Sequence, residues 1–448
     1  MPDVAALEEL IGTGDRAAVE ARLADIPAAD LALVLPRLGE ETLAALLSML
    51  DPDEAAELLQ QLPMPHAVET VEELEPTAAA RILEQLHSDE RADLLGEMDD
   101  AESHPIIAQF SAPDAAEARA LTSYPDDVAG GLMKTEYLDY DAEATIADVI
   151  TDLGEHADEY ADYDIQYAYV TEKGGRLVGV LRMRDLLLSP RTRVLKEIMI
   201  PSPLSVRDDT PLEELVTFFD EHRFFGAPVV DSSGVLCGVV QRSAVEAAIA
   251  EDQERMYRHA QGIVGGEELR TMPLFRRARR RLSWLSINIV LNIIAASVIA
   301  LHQDTLAAVI ALAVFLPIIS DMSGCSGNQA VAVSMRELTL GLVRPTEIVR
   351  TIIAEVTLGL INGLVLGILI GLVAVLWKGN VYLGLVVGGA LMLNTMLAVV
   401  VGGSVPLLLK RLGVDPALAA GPILTTITDM CGFFIVLSFA SLLLPYLT

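Results

Sequence analysis

Apolar positions recur with a period of twelve along residues 34–98. The triplets are Val34-Leu35-Leu38, Leu46-Leu47-Leu50, Leu58-Leu59-Leu62, Thr70-Val71-Leu74, Ile82-Leu83-Leu86 and Leu94-Leu95-Met98. Each has the i, i+1, i+4 spacing that gathers on one face of a helix. Helix-start signals precede several of them, as in Asp51-Pro52, Glu75-Pro76 and Ser88-Asp89. One short helix cannot bury such a stripe alone. The pattern therefore predicts an α-helical superhelix of stacked repeats over residues 1–125, read as an interaction scaffold rather than a place for chemistry.

Residues 126–250 change pattern and then repeat it. Each half opens on an apolar-Met pair, Leu132-Met133 and then Ile198-Met199. Each continues to a Thr able to cap an amphipathic helix, Thr145 and Thr210. Two short strands joined by a glycine turn follow: Tyr167–Val170 with Leu177–Leu181, and Ala227–Val230 with Val235–Val240. This α/β pattern resembles a tandem CBS-domain pair, with boundaries at 126–190 and 191–250. Such pairs are regulatory modules that often bind adenine nucleotides, through a Gly, two apolar residues, a hydroxyl residue, two further residues and an Asp. The first half has Arg182 in the hydroxyl position, and the second has neither the hydroxyl nor the acid. Both departures weigh against nucleotide binding and leave Asp185 as the one candidate to accept a ribose hydrogen bond.

The last 173 residues, 276–448, are apolar. A membrane span needs about 20 such residues, and five stretches qualify: 283–302, 305–334, 349–376, 381–409 and 417–445. The fold class is therefore multidomain: helical superhelix, α/β CBS pair, and an all-α membrane domain of five helices. The run from Arg276 to Arg281 precedes the first span. Arg336, Arg344 and Arg350 follow the second, and Lys410 and Arg411 the fourth. The positive-inside rule places the N-terminus in the cytoplasm and the C-terminus outside, which predicts a multi-pass inner-membrane protein. No charged and apolar leader is evident at Met1–Leu10.

Charge separates the two parts further. Of 31 basic and 63 acidic residues, positions 1–275 hold 20 and 56, a net of −36, and the remainder is +4. Strong acidity argues against nucleic acid and suits divalent cations. A halophile's solvated surface would look the same. The three cysteines are widely spaced and indicate neither a disulfide framework nor a zinc site.

Against this background the acids in apolar sequence stand out: Asp321, Glu355, Asp429 and, less deeply, Asp304. An intramembrane carboxylate should face a watery path or a partner, and no Lys or Arg lies in the interior of the spans, Arg350 standing at the start of the third, to pair with Asp429. Thr425 stands one helical turn before Asp429 on the same face. A carboxylate beside hydroxyls is hard-oxygen chemistry, suited to Mg²⁺ or Ca²⁺. Pro317 and the run from Ser323 to Gln329 predict an interrupted backbone in the second span.

The order of repeat helices, CBS pair and five spans resembles the MgtE family of Mg²⁺ channels along nearly the whole chain. The most specific stretches are Ala129-Gly130-Gly131-Leu132-Met133, Arg279–Leu285, Gly327-Asn328-Gln329-Ala330, and Asp415-Pro416-Ala417 through Gly421-Pro422 to Thr428-Asp429-Met430-Cys431-Gly432. The resemblance implies a homodimer in the bilayer with the pore between subunits. It implies hydrated Mg²⁺ held by Asp429, with Asn328 nearby, and matches Glu355 to a third-span acid. It also implies a connecting helix over 251–275 that plugs the pore when cytoplasmic Mg²⁺ is high. The regulatory acids depart from the family pattern: Asp252 fits, whereas Glu246, Glu251 and Glu254 are shifted. A broader divalent importer taking Co²⁺ or Mn²⁺, or a membrane-anchored CBS sensor without transport, are the alternatives. Nothing in the sequence suggests an enzyme.

Overall fold

A computed structural model describes residues 4–158, 160–161, 163, 166–263, 272, 274–339, 342–343 and 347–448. The chain forms two units, residues 1–252 and 253–448.

In the first unit the twelve-residue period folds as expected. Successive helices run Glu40–Met49, Pro52–Gln60, Met64–Glu72, Pro76–Leu83 and Ser88–Glu97 (α1). All eighteen triplet residues are buried. The third member of each triplet falls just past the end of its helix, so Leu50, Leu62, Leu74, Leu86 and Met98 seal the joint between neighbours. Thr70 fits an apolar slot because its hydroxyl donates to the His66 carbonyl at 2.6 Å. Ser88 does not cap α1. Its N–H and hydroxyl both donate to the Glu136 carboxylate, at 2.7 and 2.8 Å, which ties the superhelix to the α/β part.

The α/β part holds two four-stranded sheets whose halves exchange strands. Its strands are β1 (Met133–Lys134), β2 (Leu138–Asp141), β3 (Tyr167–Glu172), β4 (Arg176–Arg182), β5 (Ile200–Pro201), β6 (Val206–Arg207), β7 (Gly226–Val230) and β8 (Leu236–Gln241). The orders are β2-β3-β4-β5 and β1-β8-β7-β6. Thr145 caps the helix Ile146–Glu155 in a capping box with Asp148, as expected. Thr210 does not act as a cap: Pro211 takes that position, and the Thr210 hydroxyl accepts from the Arg207 N–H at 3.0 Å to close a turn. A helix follows β8 directly, Arg242–Ala260 (α2). Of the connecting helix expected over 251–275, residues 264–271 and 273 lie outside the described residues, as does Arg344.

The second unit contains long helices α3 (Leu274–Leu301), α4 (Leu312–Thr339), α5 (Ile348–Lys378), α6 (Val381–Arg411) and α7 (Pro416–Leu442). Among the described residues four are long and apolar enough to cross a membrane: Arg277–Leu301 within α3, and α5, α6 and α7. The 28-residue α4 carries Ser320, Asp321, Ser323, Ser326, Asn328 and Gln329 and is more polar. The interrupted backbone expected between Pro317 and Gln329 is not found. Helix α4 is continuous there, and the break falls earlier, at Val309–Ala311. Pro317 sits in the second turn and so deletes one early hydrogen bond. The glycines serve packing instead. A Cβ at Gly327 would stand 3.0 Å from the Ala398 carbonyl of α6, and one at Gly402 would stand 2.2 Å from the Gly327 carbonyl. Gly359, Gly363, Gly367 and Gly371 repeat every fourth residue along α5 and bring it as close to α6 at Met396, Met392, Gly388 and Gly384 in turn. Helix α6 therefore lies at the centre of this unit, packed against α4, α5 and α7.

Close approach of α4 and α6 makes Gly402→Val a test of the packing. Overpacking of this kind costs about 1–3 kcal/mol, read as a lower unfolding temperature of the full chain in detergent. Gly324→Ala, with open space around the added methyl, leaves that temperature unchanged.

Candidate functional site

Helix α7 starts behind Asp415, whose carboxylate accepts from the Ala417 N–H at 2.8 Å. The helix runs unbroken through Pro422 to Asp429, which is 9% exposed. Ser320 of α4 donates its hydroxyl to Asp429 Oδ1 at 2.5 Å. Among the described residues no basic side chain pairs with this carboxylate. Thr428 and Thr426 return their hydroxyls to the helix, donating to the Thr425 and Pro422 carbonyls at 3.0 and 2.8 Å. Thr425 itself is exposed one turn before Asp429.

Helix α4 presents two polar faces. Ser320 points to α7, while Asp321 and Asn328, seven residues apart and so on one side, are exposed. Glu355 lies elsewhere, half-buried on α5 against Gly403 of α6. Its Oε2 is buried and has no hydrogen-bond partner among the described residues. Asp304 is exposed in the short helix Gln303–Ala308. Among the described residues no group of three His, Cys, Asp or Glu side chains converges as a metal cage. The arrangement offers single carboxylates with neutral oxygen donors nearby, which suits a hard cation keeping most of its water.

A second acidic locus lies in the first unit. Asp89 and Glu90 on α1, Asp126, and Glu251 on α2 lie near enough to Asp93 on α1 to repel its carboxylate. Asp93 keeps part of its surface exposed, yet packing around the carboxyl, followed by repulsion from Asp89, Asp126, Glu251 and Glu90, pushes it up to about 7. Lys134 is the local counter-charge, with Nζ 3.6 Å from Asp89 Oδ2. The other expected regulatory acids lie apart from this locus. Glu246 is exposed at the edge of a cleft, Asp252 is half-buried, and Glu254 pairs with Arg258 at 3.2 Å.

That cleft, of about 250 Å³, lies between the two CBS halves, lined by Lys134, Tyr137, Tyr167, Phe225, Gln241 and Ser243 among others. Asp185 is not part of its wall. Arg182 donates to it at 2.6 Å and holds its carboxyl below the usual range.

Sequence reasoning missed Asp89, Asp93, Asp126 and Ser320. The i, i+4 pair of like charges Asp89 and Asp93, unfavourable on a free-standing helix, was the available signal for the first two. Ser320 gave none, because a serine in a helix is ordinary.

Comparison with known proteins follows the same division. Residues 316–439 match the MgtE family, described as a divalent cation transporter. Residues 26–127 match the MgtE intracellular N domain, and 195–251 a CBS domain. The magnesium transporter MgtE of Bacillus subtilis (strain 168) is 32% identical over 336 residues, which cover 74% of this chain and 73% of that protein. The magnesium transporter MgtE of Thermus thermophilus is 37% identical over 341 residues, 73% of each. The crystal structure of the cytosolic domain of the Mg²⁺ channel MgtE in complex with ATP matches with a TM-score of 0.49 at 33% identity, covering 55% of this chain and 99% of that one.

The crowding around Asp93 sets a pH dependence. Its folded carboxyl, at about 7, binds a proton more tightly than the unfolded one. The stability it contributes is therefore complete below the unfolded value and is lost as pH rises through about 7. Asp93→Asn should raise the unfolding temperature of the full chain by a few degrees at about pH 8, with the gain vanishing near pH 4.

Proposed function

The chain belongs to the MgtE family of divalent cation transporters, and on that premise we propose that it carries Mg²⁺ across a membrane past Asp429, under the control of its acidic first unit. The observation that carries this reading is a buried carboxylate in an apolar helix, held by one serine and, among the described residues, by no basic partner. Such a group costs about 3 kcal/mol or more in hydrocarbon, and a passing cation with its water offsets that cost.

In this reading Asp429 is the main ion site, and Thr425, Asn328 and Asp321 contribute neutral and acidic oxygens along the path. Glu355, packed on α5 against Gly403 of α6, is assigned as a further acid of the path. Mg²⁺ surrenders water reluctantly, so one or two carboxylates suffice to hold it through its hydration shell. Helix α4 is then a fifth span. Its exposed Asp321 and Asn328 cannot face lipid, and a second copy of the chain set against that face encloses them. We place the protein as a homodimer in the cytoplasmic membrane with the first unit inside, because arginines cluster at Arg276–Arg281 and in the loops on that side. Co²⁺ and Mn²⁺ remain alternative cargo with the same oxygen preference. A CBS sensor without transport has no use for Asp429.

Control is assigned to the acids shared between α1, Asp126 and α2. Mg²⁺ bound there relieves the repulsion that Asp93 experiences and draws Glu251 toward the superhelix. Glu246, Asp252 and Glu254 lie on the same helix apart from that cluster and contribute negative charge only.

Two outcomes test this. Wild type should restore growth of a Mg²⁺-auxotrophic bacterial strain, and Asp429→Ala, equally expressed, should not. Equal rescue by both removes Asp429 as the ion site, and rescue by neither directs the same pair to Co²⁺ and Mn²⁺. Separately, millimolar Mg²⁺ should slow proteolytic cleavage after residue 252 several-fold, and Asp93→Asn should shrink that effect. Cleavage indifferent to Mg²⁺ would argue against sensing by this unit.

A further inference from the structure

Behind Asp429 the membrane unit hides a set of polar groups that the ion path does not use. Asn394 of α6 is 0% exposed, and so are Thr395 beside it and Ser323 of α4. Asn394 Nδ2 and Oδ1, Thr395 Oγ1 and Ser323 Oγ find no hydrogen-bond partner among the described residues. A primary amide left this way between apolar helices is strongly disfavoured, since nothing in hydrocarbon replaces its lost water.

Its placement gives the amide a purpose. Asn394 Nδ2 lies 2.6 Å from the point where a Cβ on Gly432 would stand, and Ile319 Cγ2 lies 3.5 Å from that same point. Residue 432 is thus glycine where the amide enters. Gly432 is one turn beyond Asp429 on α7, and Ile319 adjoins Ser320, the donor to Asp429 Oδ1. Ser323 stands one turn along α4 from Ile319. Three helices therefore meet at one level, α6 bringing Asn394, α7 the gap at Gly432 one turn from Asp429, and α4 Ile319 one turn from Ser323, within a layer otherwise built of apolar residues such as Leu391 and Val436.

From this geometry we infer that Asn394 is a positioning residue for the Asp429 carboxylate. With Ser323 it holds internal water that hydrogen-bonds the carboxylate oxygen not taken by Ser320. An internal water needs two to four polar partners, and these side chains supply them. An amide offers two donors and an acceptor, so it can bind the water and leave the water's own proton for the carboxylate. Asp429 is then fixed from both sides and aimed at the cation before the cation arrives. A group of merely structural value would be better replaced by an apolar residue of similar size. The inference rests on the proposed role of Asp429 as the ion site.

The test is Mg²⁺ flux into liposomes containing the full chain, with half-saturating concentration and maximal rate measured separately. Asn394→Leu keeps the volume and removes the hydrogen bonds. It should raise the half-saturating Mg²⁺ concentration about tenfold, leave the maximal rate within about twofold, and leave the unfolding temperature equal or higher. Asn394→Ser, which restores a hydroxyl and room for water, should recover most of the affinity. If Asn394→Leu cannot be purified folded, Gly432→Ala, which displaces the amide, is judged by the same criteria. Should Asp429→Asn be impaired while Asn394→Leu keeps wild-type affinity, or loses only maximal rate, the inference fails alone. Should Asp429→Asn itself transport like wild type, the ion-site reading fails and takes the inference with it.

Discussion

A carboxylate placed in an apolar helix must be given water or a partner, and Asp429 imposes that constraint on the whole membrane unit. Its nearest polar neighbour is a hydroxyl, which satisfies one oxygen and leaves the charge unneutralised. The helices around it cannot be spaced loosely, because a loose interior would expose still more backbone and side-chain polarity to lipid. The glycine contacts of α6 with α4 and α5 supply the necessary closeness. They let backbones touch where side chains would hold them apart, and a narrow polar seam survives among well-packed apolar layers.

The first unit applies the same electrostatics in reverse. There carboxylates are many, partly wetted and mutually repelling, with Lys134 as the local counter-charge near Asp89. Interactions of this kind are modest one by one and screened by salt over about 8–10 Å. Their effect comes from number and from lying across a joint between α1 and the middle of α2. A divalent cation acts strongly on such a cluster because it replaces several repulsions with attractions at once. One locus therefore holds a lone acid in a dry place and the other a crowd of acids in a wet one, and the proposed function assigns both to the same kind of ion.

What the sequence disclosed follows from which signals are local. The superhelix was legible to the residue, since every triplet member that should be buried is buried. The capping box at Thr145 was equally local, and Pro211 spoiled the parallel expectation at Thr210. The exchange of β1 and β5 between sheets was not legible, because two-residue strands carry no period. Asp429 stood out as an ionisable residue in an apolar run. Ser320, Ser323 and Asn394 did not, because neutral polar residues are common in such helices and become notable only when their partners are known. Glu251 was picked out for its place in the chain, whereas its neighbours Asp89, Asp93 and Asp126 are joined to it by tertiary folding alone.

In the proposed reading, a carboxylate held by one hydroxyl sets how a cation would be recognised. A cage of carboxylates strips a divalent ion and binds it tightly, which suits storage and opposes passage. A single carboxylate lacks the ligands to replace the water shell of Mg²⁺, whose six oxygens sit close and leave slowly. Discrimination must then act on the hydrated ion, through outer-shell hydrogen bonds whose geometry depends on how steadily the carboxylate is held. Neutral donors and acceptors such as Thr425 and Asn328 are suited to that task, because they contact water without trapping charge. If Asp429 is the ion site as proposed, its rigidity matters as much as its charge, and the side chains that fix it belong to that site with the acid itself.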